Sequence, residues 1–281
     1  MKVLIAAPVF VLMVSIGMSL RVSELVAQWK QLTMSAWFRL LLATFIVPPA
    51  FILLVHRLFP LSRAEAVGLF MVAVVPGAPL VTRNIARRGF NLQLAASYQV
   101  WGAVLTPAII PLVVHLTGKL YDREIWISPL LLIRQIGLKQ FVPVLIGILC
   151  VRFMPEGSRK LAPLLNIVGN AVLVLVIVLV LVKIAPTLVG ITLWLPFTSL
   201  LLAIVCIAAI RLLVRADVPT ARTLAICNAN RFVGLALLLA GESLHRTDVV
   251  PAIACYALMI ALATIVYPKF FPAPLQKAAA G

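Results

Sequence analysis

Nine apolar runs divide the chain, at about 3–20, 35–55, 65–82, 90–116, 129–151, 161–183, 196–213, 219–241 and 249–268. About 20 apolar residues suffice for a helix to cross the hydrocarbon core of a bilayer. The pattern therefore predicts an all-α integral membrane protein with about nine transmembrane helices. The connections are short, 56–63 and 119–124 among them, so residues 1–281 are expected to form a single polytopic domain. The first run is read as a retained helix, because Ser19, Leu20 and Arg21 make a poor small-residue cleavage site. Trp29, Tyr121 and Trp126 are expected at the water boundary, where amphipathic rings anchor a membrane protein. In the fifth run Arg134 and Lys139 interrupt the first half, which predicts an interfacial helix leading into a short span, with both cations snorkelling toward headgroups.

Composition agrees with the pattern. Of 281 residues, 63% are hydrophobic and 11% charged, too few charges to cover a soluble globule of this size. The formal charge of +16 comes from cations lying between apolar runs, without the basic face that nucleic acid requires. Counted over alternate loops, seven fall on the side of the N-terminus and fourteen on the other, with Arg134, Lys139 and Arg231 left out as intraspan. Cytoplasmic loops carry the excess of Lys and Arg, which places the N-terminus outside and the C-terminus in the cytoplasm and requires an odd number of spans. Cys150, Cys206, Cys227 and Cys255 all lie in apolar runs, without metal-binding or disulfide spacing.

Most intraspan prolines, such as Pro48 and Pro49, are read as kinks, but two places differ. At Pro76, Gly77 and Pro79, followed by Thr82, Arg83 and Asn84, a missing amide donor and a glycine predict that the third span unwinds. The second place is Asn228, Ala229, Asn230 and Arg231, in the middle of the eighth span. An arginine at that depth costs about 2.5 to more than 10 kcal/mol against lipid, so it must face protein, water or an anion. Its donors suit unwound carbonyls and asparagine side chains, and equally a carboxylate or sulfonate. The eight acidic residues, from Glu24 to Asp248, all fall at span ends or in loops. That pattern offers neither an intramembrane proton relay nor a carboxylate for a buried cation.

Two broken helices crossing the bilayer in opposite directions are a device of inverted-repeat secondary transporters. The chain resembles the bile acid:sodium symporter family. The likeness rests on the segment Ser15 to Leu20, on Pro76-Gly77, on Pro107 with Pro111, on Pro143 with Gly147, and most of all on Gly234-Leu235-Ala236. The resemblance implies a nine-helix version of the fold, with a panel of helices beside a core that contains two crossover helices. It implies a symporter of a small organic anion, such as a bile acid, keto acid or sulfonate, with Na+ as coupling ion, in a cell membrane, the bacterial inner membrane being expected. On that likeness the family's sodium-coordinating glutamate falls on Cys227 and its glutamine on Arg231, so both of those ligands are replaced. Thr82, Ser97 and Gln99 are the nearest polar groups for the rest of an ion site. Arg231, Asn228, Asn230, Thr82 and Asn84 are the candidate substrate ligands, with the Arg231 guanidinium standing where the ion would sit and attracting the anion.

Other classes fit less well. His56, His115 and His245 lie near span ends and no nucleophile or metal motif accompanies them, so an enzyme is not expected. A channel needs a continuous polar lining, and the polar residues form only a midplane cluster. An arsenite-type carrier would rest on Cys227 alone. A non-transporting membrane receptor or scaffold is the alternative, in which the breaks are structural irregularities.

Overall fold

The computed structural model describes residues 2–19, 33–77, 90–118, 129–184, 192–242 and 246–270. Trp29, Tyr121, Trp126, Thr82, Arg83 and Asn84 lie outside these residues. Ten helices appear among them. We number them α1 (Lys2–Ser19), α2 (Met34–Leu58), α3 (Arg63–Val74), α4 (Leu92–Gly118), α5 (129–153), α6 (Pro155–Ile184), α7 (Trp194–Leu213), α8 (Val218–Ala229), α9 (Val233–Glu242) and α10 (Val250–Phe270). Five stretches are long and apolar enough to cross a membrane: Met34–Leu58, Gln93–Thr117, Pro155–Val176, Trp194–Leu213 and Val250–Tyr267. The protein is thus a multi-pass membrane protein.

Its helix boundaries follow from local chemistry. Ser62 caps α3 reciprocally with Glu65: the Glu65 amide donates to Ser62 Oγ at 3.3 Å, and the Ser62 amide donates to Glu65 Oε2 at 2.7 Å. The other carboxylate oxygen accepts the Thr192 amide at 3.0 Å, tying the start of α3 to the segment before α7. Asp217 caps α8 by accepting the Thr220 amide at 3.3 Å. Pro76 pushes the residue before it out of the α region, and α3 accordingly ends at Val74, with Val75 at ψ 115°. Helix α6 begins at Pro155, earlier than its apolar run, because Glu156, Arg159 and Lys160 occupy its exposed first turns.

The fifth apolar run is helically continuous. It runs through a π-turn, Gly137–Phe141, into Val142–Phe153, with Arg134 exposed and Lys139 half-buried. Helix α2 has the same device at Leu42–Ile46. Each π-turn is followed by valine and then proline, Val47-Pro48 and Val142-Pro143. Proline lacks an amide hydrogen and its ring collides with the carbonyl four residues back, so a widened turn relieves the clash.

Two groups of helices emerge from the packing. Helix α1 packs mainly on α5 and α6, and α7 on α8, α10 and α2, with α3 against α10 and α2. Backbone meets backbone where α1 crosses α5: a Cβ on Gly17 would lie 2.9 Å from the Gly147 Cα, and one on Gly147 would lie 2.7 Å from the Met18 nitrogen. Helix α9 approaches the first group at Gly234, where a Cβ would lie 3.1 Å from Leu173 and 3.2 Å from Val9.

Candidate functional site

The eighth apolar run is broken where the sequence predicts. Helix α8 stops at Ala229, Asn230 turns to ψ 81°, and α9 resumes at Val233. Across the break Arg231 forms an isolated antiparallel bridge with Gly77, just beyond the end of α3. Both α3 and α8 are 12 residues long, and each carries a side-chain N-cap. A Cβ at Gly77 would lie 3.0 Å from the Tyr98 ring, so this residue lets the backbone pass against an aromatic wall.

Arg231 is 1% exposed and is the bulkiest of the fully buried side chains. Its NH1 donates to the Thr44 carbonyl at 2.8 Å, and its NH2 donates to Asn228 Oδ1 at 3.2 Å and to Cys206 Sγ at 3.4 Å. Nε has no hydrogen-bond acceptor among the described residues. Among the described residues none of the acceptors is a carboxylate, so the contacts shown meet the positive charge with dipoles. In so apolar a setting a cation acts on a neighbouring charge far more strongly than in water.

The acceptors exist because of Pro48 and Pro49. In a regular helix the Thr44 carbonyl would receive the amide of residue 48, and in a π-turn that of residue 49, but both are prolines. The Val47 amide, which would reach the Ala43 carbonyl, bonds Leu42 instead. Two carbonyls thus emerge from α2 without helical donors. Thr44 O takes the Arg231 guanidinium, and Ala43 O takes Asn228 Nδ2 at 3.2 Å. Asn228 Nδ2 also donates to the Cys206 carbonyl of α7 at 2.8 Å. Tyr98 of α4 donates its hydroxyl to Asn228 Oδ1 at 2.9 Å and lies 3.1 Å from the Thr44 hydroxyl.

Other polar groups at the break have partners of their own. Tyr256 of α10 donates its hydroxyl to the Ala229 carbonyl at 2.5 Å. Asn230 points elsewhere, donating Nδ2 to the Ile226 carbonyl at 2.8 Å and to Thr264 at 3.3 Å. Of the residues singled out from sequence, Asn228 and Arg231 therefore come together, while Asn230 supports the end of α8. Ser97 is buried, with its hydroxyl turned back to the Gln93 carbonyl at 2.9 Å; Gln99 is buried on the same helix, and Cys227 is a fully buried thiol. Among the described residues no cluster of three His, Cys, Asp or Glu could hold a metal ion. Sequence reading missed Thr44, Tyr98, Cys206 and Tyr256. The one signal for any of them was the proline pair, since consecutive intrahelical prolines imply carbonyls in need of outside donors.

That account of α2 is testable. Replacing both Pro48 and Pro49 by alanine restores two amide donors, and helix propensity alone predicts a gain of about 3 kcal/mol at each position. The expected result is the opposite, a fall in thermal stability of the purified protein, because a closed α2 withdraws the carbonyls that hold Asn228 and Arg231. A rise in Tm would show that the prolines are mere kinks.

A buried, dipole-held cation at the break between α8 and α9, bridged to Gly77 beyond α3, belongs to a multi-pass membrane carrier more readily than to an enzyme. The chain belongs to the Sodium Bile acid symporter family, whose pattern it matches over residues 6–191. Membership makes it a secondary transporter and not a member of an enzyme family. The matched residues run from within α1 through α6 and end before α7, so Asn228 and Arg231 lie beyond them. No curated protein matches the chain.

Proposed function

We propose that the protein carries a small organic anion across a cell membrane by alternating access, with Arg231 as a fixed cation in place of a coupling sodium ion. The observation that carries this reading is the burial of Arg231 against carbonyl, amide and thiol acceptors without a carboxylate. Its NH1 and NH2 are already engaged by protein, so the anion is drawn by the uncompensated charge and by the remaining Nε donor rather than by a full bidentate clasp.

The architecture in this reading is an inverted repeat with α3 and α8–α9 as the crossing elements. Several facts support it. The two capped 12-residue helices end at segments that pair antiparallel. Tyr98 is the seventh residue of α4 and Tyr256 the seventh of α10, and both bond to the last two residues of α8. Thr106 and Thr264 are each the fifteenth, and each donates its hydroxyl to the carbonyl four residues back. Helices α1, α5 and α6 form the panel, the others the core, and the substrate enters between them. With nine spans the N-terminus is outside and the C-terminus cytoplasmic, as the loop charges require.

The test is thermal unfolding of detergent-purified protein with bile salts, keto acids and sulfonates, each in sodium chloride and in choline chloride. A bound anion at 100 times its Kd stabilises by about 2.7 kcal/mol, and the expected shift is equal in both salts. A shift confined to sodium rejects the fixed-cation reading. No shift with any anion, joined to absence of uptake by proteoliposomes, favours a receptor or scaffold.

A further inference from the structure

A second buried arginine lies away from the break, where α8 begins. Arg222 is the fifth residue of that helix and is 5% exposed. Its guanidinium lies over the Phe90 ring, 4.3 Å from the centroid, and its Nε has no hydrogen-bond acceptor among the described residues. Tyr267 of α10 stacks on Phe90, with centroids 6.3 Å apart and rings inclined by 15°. The Tyr267 hydroxyl has two cationic neighbours, Arg222 and Arg211 of α7.

Local bonds hold this group in place. Thr223 Oγ1 accepts the Asn91 amide at 3.2 Å, and Asn91 Oδ1 accepts the Leu94 amide at 3.0 Å, so the start of α4 is capped and fastened to the first turns of α8. Two helices therefore begin side by side, and their dipoles make this end of the fold positive. Asp217, the carboxylate nearest in sequence, is turned to the Thr220 amide at 3.3 Å. An aromatic face lowers the cost of burying a guanidinium but supplies no in-plane acceptor for its N–H groups. Snorkelling does not meet that need, because so little of Arg222 reaches the surface.

The geometry points to an anion site for a phosphoryl group, with Arg222 as its buried ligand and Arg211 as its exposed one. A carboxylate presents two oxygens in one plane to a single guanidinium, whereas a tetrahedral phosphate has oxygens for both arginines and for the helix N-termini. Arg211 is exposed, as are Leu212 and Val266 next to Arg211 and Tyr267 in sequence. The phosphoryl group can thus belong to an anionic lipid headgroup, its chains on that apolar surface, or to inorganic phosphate in water. Bound there, it joins α7 to α8 and braces the start of α4 and the end of α10. The site uses none of the groups around Arg231 and does not depend on the carrier reading.

The experiment follows thermal unfolding of the detergent-purified protein with phosphatidylglycerol or phosphatidylcholine added to the micelles, and separately with inorganic phosphate against chloride at equal ionic strength. Wild type is expected to gain in Tm with phosphatidylglycerol but not with phosphatidylcholine if the ligand is a lipid headgroup, and with inorganic phosphate if it is the free ion. In Arg222→Gln the half-saturating concentration of the active probe should rise at least about tenfold, for the loss of one charge-assisted contact. Arg246→Gln removes the same charge beyond the far end of α9 and should respond as wild type. If Arg222→Gln does not fold, Arg211→Gln, at an exposed position, provides the same comparison. A wild type indifferent to both probes would overturn the inference, and so would an arginine variant of this site that responds as Arg246→Gln does.

Discussion

Arg231→Ala is expected to lower the stability of the detergent-purified protein by about 2–5 kcal/mol and to abolish its response to organic anions. Two opposing effects decide the sign. Truncation relieves the cost of burying a charge, which in some proteins makes an apolar replacement neutral or stabilising. Such gains arise when every partner is replaced together, and here the partners stay behind. The Thr44 carbonyl cannot find another donor in α2, because residues 48 and 49 are prolines, and Asn228 Oδ1 keeps only Tyr98. Each stranded buried acceptor costs about 1–3 kcal/mol, and the emptied volume adds to that. Arg231→Met separates these contributions: it refills the space, leaves the acceptors stranded, and should recover only the cavity part of the loss. A methionine variant as stable as wild type would show that the oxygens are satisfied some other way. Thermal unfolding with and without anion measures both properties.

The second large effect is expected where α1 crosses α5. Gly17 and Gly147 face one another, and a Cβ on either would strike the partner helix's backbone, at the Val144 and Val14 carbonyls respectively. Backbone cannot rotate aside as a side chain can, so the helices must separate. Gly17→Ala and Gly147→Ala should each destabilise by about 1–3 kcal/mol, despite the better helix propensity of alanine. Gly137→Ala and Gly241→Ala are the controls, because among the described residues nothing lies within 4 Å of a Cβ at either position. Those two should be neutral or gain up to about 1 kcal/mol. Equal behaviour of all four variants in a thermal unfolding series would mean that this contact does not hold the α1–α5 pair.

Much of the fold was legible in the sequence because membrane helices announce themselves by length and hydropathy. The apolar runs fall on the observed helices, and the run with embedded cations, at Arg134 and Lys139, is continuous through a π-turn. Periodicity could not show that a π-turn would carry the helix through that segment. The break at Asn230 was legible too, from asparagines and an arginine in an apolar span. So was the shortage of buried carboxylates.

Which groups answer Arg231 was not legible. Thr44 and Cys206 are 187 and 25 residues away in sequence, on helices with no local sign of their orientation. Asn230 looked as suitable as Asn228, yet the two diverge, because a residue at the end of α8 can bond its own helix while Asn228 faces α2 and α7. By itself the sequence determined that an arginine falls in the middle of an apolar run and that no acidic residue lies well inside any run, since both are properties of the chain alone. The tertiary structure decided what that cation touches, because only the packing of α2, α4, α7 and α8 brings proline-freed carbonyls, an oriented amide and a tyrosine hydroxyl to one point.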